Sequence, residues 1–324
     1  MTELRGIVRR YYAYRITDAT GFYLPISILY LRDQGFGLAF IGSAQAAFTL
    51  AMMAAEIPSG YLGDRVGRRA SLAIGNTLRA SSMVAYVLVN SPLAYIAVQI
   101  VWATGWSFRS GTQDAWLYEL LQHRFDESEF ARIEGRGSTI HLATSAVGCI
   151  TSGFLYTADV RLPFLVNAGV AILGIPILAT LVATLPAVEN EVSEKVVFTV
   201  REATRMLRLQ AGRPAVRWLI LYAALFHGLF SMTRWLEQPS LETAGVPVIG
   251  LGVLYAGFKL VSAGAAATIG RVHDRLGTRG VFALLVPVFG VAYATIALSP
   301  LFLLPVLLLY RSTRTVLQPI RNSI

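Results

Sequence analysis

Ten apolar stretches, each about as long as a lipid bilayer is thick, take up most of this chain. A bilayer core of about 30 Å needs roughly 20 residues of helix to cross it. The stretches lie near residues 12–31, 40–62, 70–90, 93–117, 137–157, 163–185, 216–238, 248–270, 280–299 and 300–319. In lipid a single segment satisfies its backbone groups internally only as a helix. The expected fold is therefore an all-α membrane protein, a bundle of about ten transmembrane helices. Composition agrees. The 324 residues are 55% hydrophobic and 15% charged, with mean hydropathy +0.56, whereas soluble domains carry about 25% charge. The first stretch holds Arg15 and Asp18 and has full span length, so it reads as a retained helix, not a cleaved leader.

The separators are short and rich in turn formers, such as Asn90-Ser91-Pro92, Arg161-Leu162-Pro163 and Ser299-Pro300. One gap differs. Residues 188–216 are polar, with Glu189, Glu191, Glu194, Lys195, Arg201 and Arg205, and read as a linker carrying an amphipathic helix. It divides a six-helix bundle, residues 1–187, from a four-helix half, 217–324. Orientation follows from arginine and lysine. With both termini cytoplasmic, nineteen of the 28 fall inside, and only Arg32 and Arg161 fall outside. The expected location is the cell membrane.

The two halves are related. Shifted by 210 residues, Gly42 meets Gly252, Ala46 meets Ala256, Phe48 meets Phe258 and Gly60 meets Gly270. The loop that follows repeats as well: Asp64-Arg65-Val66-Gly67 against Asp274-Arg275-Leu276-Gly277, with Arg69 against Arg279. Duplicated halves with a pathway between them are a recurring transporter design.

The segment Gly60-Tyr61-Leu62-Gly63-Asp64-Arg65-Val66-Gly67-Arg68-Arg69 resembles the signature loop between the second and third helices of the major facilitator superfamily. Gly270 to Arg279 resembles its degenerate second copy. Glu56-Ile57-Pro58-Ser59-Gly60 and Asp114-Ala115-Trp116-Leu117-Tyr118 are similar to a drug-efflux-like branch. The resemblance implies secondary active transport by alternating access. It also implies a cytoplasmic latch at Gly60, Asp64, Arg65, Gly67, Arg68 and Arg69, mirrored at Gly270, Asp274, Arg275, Gly277 and Arg279. The family pattern has twelve helices; ten are counted here, and the two absent ones are the last.

A charge inside a span costs roughly 2.5–3.5 kcal/mol at the helix centre, so each one needs a reason. The resemblance places the first, fourth, seventh and tenth helices around a central cavity. Asp18 and Asp114 are then the proton-coupling candidates, since desolvation favours the protonated carboxyl and a neighbouring arginine the ionised one. Arg109, Arg311, Arg314 and Lys259 are the substrate-cavity candidates. Phe108-Arg109-Ser110 is matched by Tyr310-Arg311-Ser312, and arginine's planar donor fork suits an anionic group. Arg109 pairing with Asp18 or Asp114 as a structural lock is the rival reading. Glu56 and Arg79 sit at similar depth on neighbouring helices, which predicts a structural ion pair. His141 and His227 read as packing residues.

Several classes of function lack their residues. The net charge of +9 comes from loops between spans, not from one basic face, which argues against nucleic acid. No phosphate-binding Gly-x-x-x-x-Gly-Lys motif, metalloprotease His-Glu-x-x-His or Gly-x-Ser-x-Gly is present, and no metal or cofactor is expected. The partners expected are the bilayer, a small-molecule substrate and protons. The substrate is a drug-like compound by branch resemblance or an organic anion by its arginines. The alternative to a transporter is a non-transporting binding or regulatory protein, or an inactive remnant, on the same fold.

Overall fold

The computed structural model describes residues 2–109, 112, 116–118, 120–121, 129–182, 217–218 and 237–261, and these contain helices and turns with no strand among them. In chain order, α1 is Thr2–Thr17, α2 Ser27–Asp33, α3 Leu38–Val66, α4 Arg68–Leu88, α5 Pro92–Arg109, α6 Phe130–Ala158 and α7 Leu162–Val182. Two further helices, α8 at 237–243 and α9 at Val248–Val261, belong to the second half. The linker and everything from residue 262 onward lie outside the described residues.

Within α3, Leu38–Glu56 is long and apolar enough to cross a membrane by itself, as is Leu162–Leu181 within α7, at mean hydropathies of 1.6 and 2.2. Large apolar side chains lie on the outside: Leu50, Met53, Leu88, Leu93, Phe154 and Leu173 are all more than half exposed. A surface of this kind is a liability in water and is well solvated by lipid tails.

The expected first span at 12–31 is not one helix. α1 starts earlier, at Thr2, and ends at Thr17. Residues 18–23 are non-helical, and a single 3-10 turn at Leu24–Ile26 leads into α2. Two local causes are visible. Gly21 lies so close to α6 that an added Cβ would sit 1.8 Å from the Ser145 carbonyl oxygen. Pro25, in the first turn of the new helical segment, has no N–H to continue the old one. The freed backbone is partly satisfied by α6, where Ser145 Oγ accepts from Thr20 N–H at 3.3 Å. Broken helices persist at membrane depth only where protein or a cavity surrounds them.

Two buried clusters hold the first half together above and below this break. Tyr23, Tyr30, Tyr86, Tyr95 and Phe164 form one, with Tyr30 and Tyr86 ring centroids 4.7 and 5.0 Å from Phe164. Tyr11, Tyr14, Leu121, Ile133 and Leu181 belong to the other.

The 210-residue repeat is visible in the backbone. α2, its turn and the start of α3 recur as α8, its turn and the start of α9. Gly35 has φ +86° and Gly245 φ +81°, the left-handed conformation that glycine adopts without strain. Gly35 N–H donates to Arg32 O and Phe36 N–H to Leu31 O; likewise Gly245 donates to Glu242 O and Val246 to Leu241 O. The halves also meet across matched positions. Arg32 pairs with Glu242 at 2.6 Å, and Ile28 N–H donates to Gln238 Oε1 at 3.1 Å. Both pairs differ by the repeat length, as self-complementary contacts across a pseudo-two-fold axis do.

Candidate functional site

Asp18 is the first residue beyond α1, and it faces three arginines. Arg109 from α5 lies 2.6 Å from Oδ1, and Arg79 from α4 lies 2.9 Å from the same oxygen. Arg15, one turn back on α1, lies 3.7 Å from Oδ2. His141 Nδ1, on α6, stands 3.9 Å from Oδ2. All three arginines and Asp18 are buried. The break in α1 makes the cluster possible, because it turns the carboxylate into the space between α4, α5 and α6.

The surrounding shell holds the arginines in place. Arg79 and Arg109 lie over the Trp106 ring, at 5.1 and 5.9 Å from its centroid, and Arg109 also lies over Tyr14. Asn76 Nδ2 donates to Tyr14 Oη at 3.2 Å. Arg15 reaches Ser138 Oγ at 3.3 Å and Glu134 at 3.8 Å, and Tyr11 donates to Glu134. Trp106 is 37% exposed, so the cluster is not sealed on every side.

Three guanidiniums face Asp18 and Glu134, a surplus of one positive charge among the described residues. Lys259 is half-buried on α9. Charge buried away from water is stable only when paired or hydrogen-bonded.

The sequence-based candidates divide accordingly. Asp18 and Arg109 meet in this cluster, paired at 2.6 Å, and Lys259 lies half-buried on α9. The expected Glu56–Arg79 pair is corrected. Glu56 is exposed on α3, whereas Arg79 turns inward to Asp18; equal depth along two helices says nothing of which way each face turns. Asp114, Arg311, Arg314, Gly270, Asp274, Arg275, Gly277 and Arg279 lie outside the described residues. At the first latch, Gly60 is exposed within α3, and Gly67 alone joins α3 to α4 at φ +88°. The side chains of Asp64, Arg65, Arg68 and Arg69 lie outside the described part of the structure. Arg15, Glu134 and His141 were not among the sequence candidates. Arg15 was legible as the i−3 neighbour of Asp18.

The far end of the bundle carries a second set of contacts between halves. Beside the Arg32–Glu242 pair, and within the second half, Gln238 Nε2 donates to Glu242 Oε1 at 3.1 Å. Deeper in, α6 and α9 touch backbone to backbone. An added Cβ on Gly252 would lie 2.2 Å from the Cys149 carbonyl oxygen, and one on Gly153 2.6 Å from the Ile249 Cα.

Residues 14–323 match the sequence profile of the Major Facilitator Superfamily, so the chain belongs to that family and is a multi-pass membrane protein. It is similar to the uncharacterized MFS-type transporter YxaM of Bacillus subtilis (strain 168), at 28% identity over 147 residues. That match covers 45% of this chain and 36% of YxaM, a little over a third of the relative's length. In fold it is similar to the nucleoside transporter NupG, with TM-score 0.71, 14% identity, 95% of this chain and 79% of that one covered. A POT family transporter in complex with a thioalcohol-conjugated peptide gives TM-score 0.68 and 14% identity over 98% of this chain and 83% of that one. At such identities the likeness is one of fold.

Proposed function

We infer that the chain is a secondary transporter that moves a small organic anion across the cell membrane by alternating access, coupled to protons through Asp18. The observation that carries this reading is one buried carboxylate, at a break in a membrane helix, shared by arginines from three helices. Discontinuous helices near the bilayer midplane are where transporters bind substrate and coupling ion.

The chemistry follows from the charges. Ionised Asp18 occupies Arg79 and Arg109. Protonation removes its charge and frees donors on both guanidiniums for another anion. Proton and anion therefore bind together more readily than either alone. With the termini on the cytoplasmic side, the Arg32–Glu242 pair and the α6–α9 seam close the outer face, and access is from within. Asp64 and its neighbours, with the second copy at Asp274, form the latch on the opposite face. Asp114, Arg311 and Arg314 are proposed to complete the cavity wall. The drug-efflux-like resemblance supports a drug-like cargo as the second reading.

Uptake by the purified chain in proteoliposomes tests this. Labelled p-aminohippurate stands for organic anions and tetraphenylphosphonium for cationic drug-like solutes. Proton-gradient-dependent accumulation of the anion is expected. Accumulation of the cation alone would favour the drug-like reading, and binding without accumulation would favour a non-transporting protein.

A further inference from the structure

Away from the Asp18 cluster, an open cavity of about 360 Å³ lies between α1 and α6, with Arg5, Arg9, Arg132 and Arg136 on its walls. Its arginines form two stripes. Arg5 and Arg9 are one turn apart on α1, and Arg132 and Arg136 one turn apart on α6, so each pair points from a single helix face. All four are exposed. Among the described residues, Glu129 is the only acidic one lining the cavity, and it pairs with Arg132. The other walls are apolar: Leu4, Val8, Tyr12 and the buried Ile133.

Depth identifies what such a cavity meets. His141, beside Asp18, lies near the middle of the 29-residue helix α6. At 1.5 Å per residue, Arg136 and Arg132 stand about 8 and 14 Å along α6 from it, and Arg9 about 14 Å along α1 from Asp18. The hydrocarbon half-thickness is about 15 Å. Measured this way, Arg9 and Arg132 stand about at the edge of the hydrocarbon, within side-chain reach of the lipid phosphates, and Arg136 about 7 Å deeper, beside apolar walls that meet the acyl region. Basic pockets between helices at this level suit anionic headgroups, and arginine grips a phosphate through two donors at once.

We propose that this cavity is a binding site for the phosphodiester headgroup of an anionic phospholipid, seated between the Arg5–Arg9 and Arg132–Arg136 stripes with its acyl chains against Leu4, Val8 and Ile133. The site is separate from the substrate cluster. It rests on the membrane-spanning fold and not on transport, so a chain that retains lipid but moves no solute would overturn the transport reading alone.

Native mass spectrometry of the full chain in detergent, with phosphatidylglycerol and phosphatidylcholine in competition, tests the proposal. The wild type should retain phosphatidylglycerol at least tenfold over phosphatidylcholine. Arg9→Gln with Arg136→Gln should remove that preference while leaving the melting temperature in lipid-free detergent within a few degrees. Arg5→Gln alone, on an exposed side chain, should weaken it if the double variant fails to fold. Equal retention of the two lipids by the wild type would overturn the proposal, as would an undiminished preference in the variants. Displacement of the lipid by millimolar glycerol 3-phosphate would also overturn it, marking a site for a soluble phosphate.

Discussion

In the proposed orientation, replacing Arg32 and Glu242 by glutamine should open the outer face, and the chain's only cysteine reports it. Arg32 and Glu242 meet at 2.6 Å, with side chains 45% and 16% exposed. Two charges about 4 Å apart in a surface-like medium attract by about 4 kcal/mol before desolvation and side-chain entropy are charged against them. Exposed pairs retain about 0.2–1 kcal/mol. Glu242 is shielded and also accepts from Gln238, which places this pair near the upper end, about 1 kcal/mol. Because the pair links the two halves, that energy belongs to the closed form alone, and its loss multiplies the open population about fivefold. Cys149 is fully buried at the α6–α9 seam, in the cluster with Leu241, Leu251 and Tyr255 and remote in sequence from both substitutions. Its rate of labelling by a membrane-impermeant maleimide, applied from the outer side of oriented proteoliposomes, should rise about fivefold. Either single substitution should do nearly the same, since each breaks the same pair. Unchanged labelling in all three variants would refute the assignment of this pair as an outer latch.

Other consequences are as direct. Gly21→Ala should cut the yield of monodisperse protein in detergent, because its Cβ would meet the Ser145 backbone at 1.8 Å and α1 cannot retreat without disturbing Asp18; size-exclusion profiles check this, and a normal yield would count against the close approach. Asp18→Asn should destabilise the bundle more than Arg79→Gln does. The first removes the carboxylate charge that Arg15, Arg79 and Arg109 share, a loss on the scale of about 3–5 kcal/mol for a broken buried pair. The second leaves Asp18 with Arg109 and Arg15. Thermal unfolding in detergent gives the order, and the reverse order would mean that the cluster is not organised around the carboxylate.

The helices were legible because lipid imposes a length: a run of about 20 apolar residues has few other uses. The repeat was legible for a different reason. Gly42 against Gly252 and the Asp-Arg-x-Gly loops keep one spacing across 210 residues, and Gly35 and Gly245 keep the same turn. Pro25 marks an interruption in the first span, but its start at Asp18 was not legible. Nothing in Ala19-Thr20-Gly21-Phe22 marks it as non-helical without Ser145 of a distant helix beside Gly21. Rotation was the other blind spot. Hydropathy ranks Glu56 and Arg79 by depth, yet which face each presents depends on neighbours that only the folded bundle supplies. The same holds for His141, whose place beside Asp18 follows from packing of α6 against α1 and not from any local pattern.

The coupling role proposed for Asp18 is tested most directly by comparing two modes of transport in one variant. Proteoliposomes holding Asp18→Asn should still exchange internal for external p-aminohippurate, because Arg79 and Arg109 remain. They should no longer concentrate it when a proton gradient is imposed. Asp18→Glu, which keeps a carboxyl, should retain gradient-driven accumulation with an altered pH dependence. Full gradient-driven accumulation by Asp18→Asn would contradict the account, since the carboxylate on which three arginines converge would then carry no proton in the cycle.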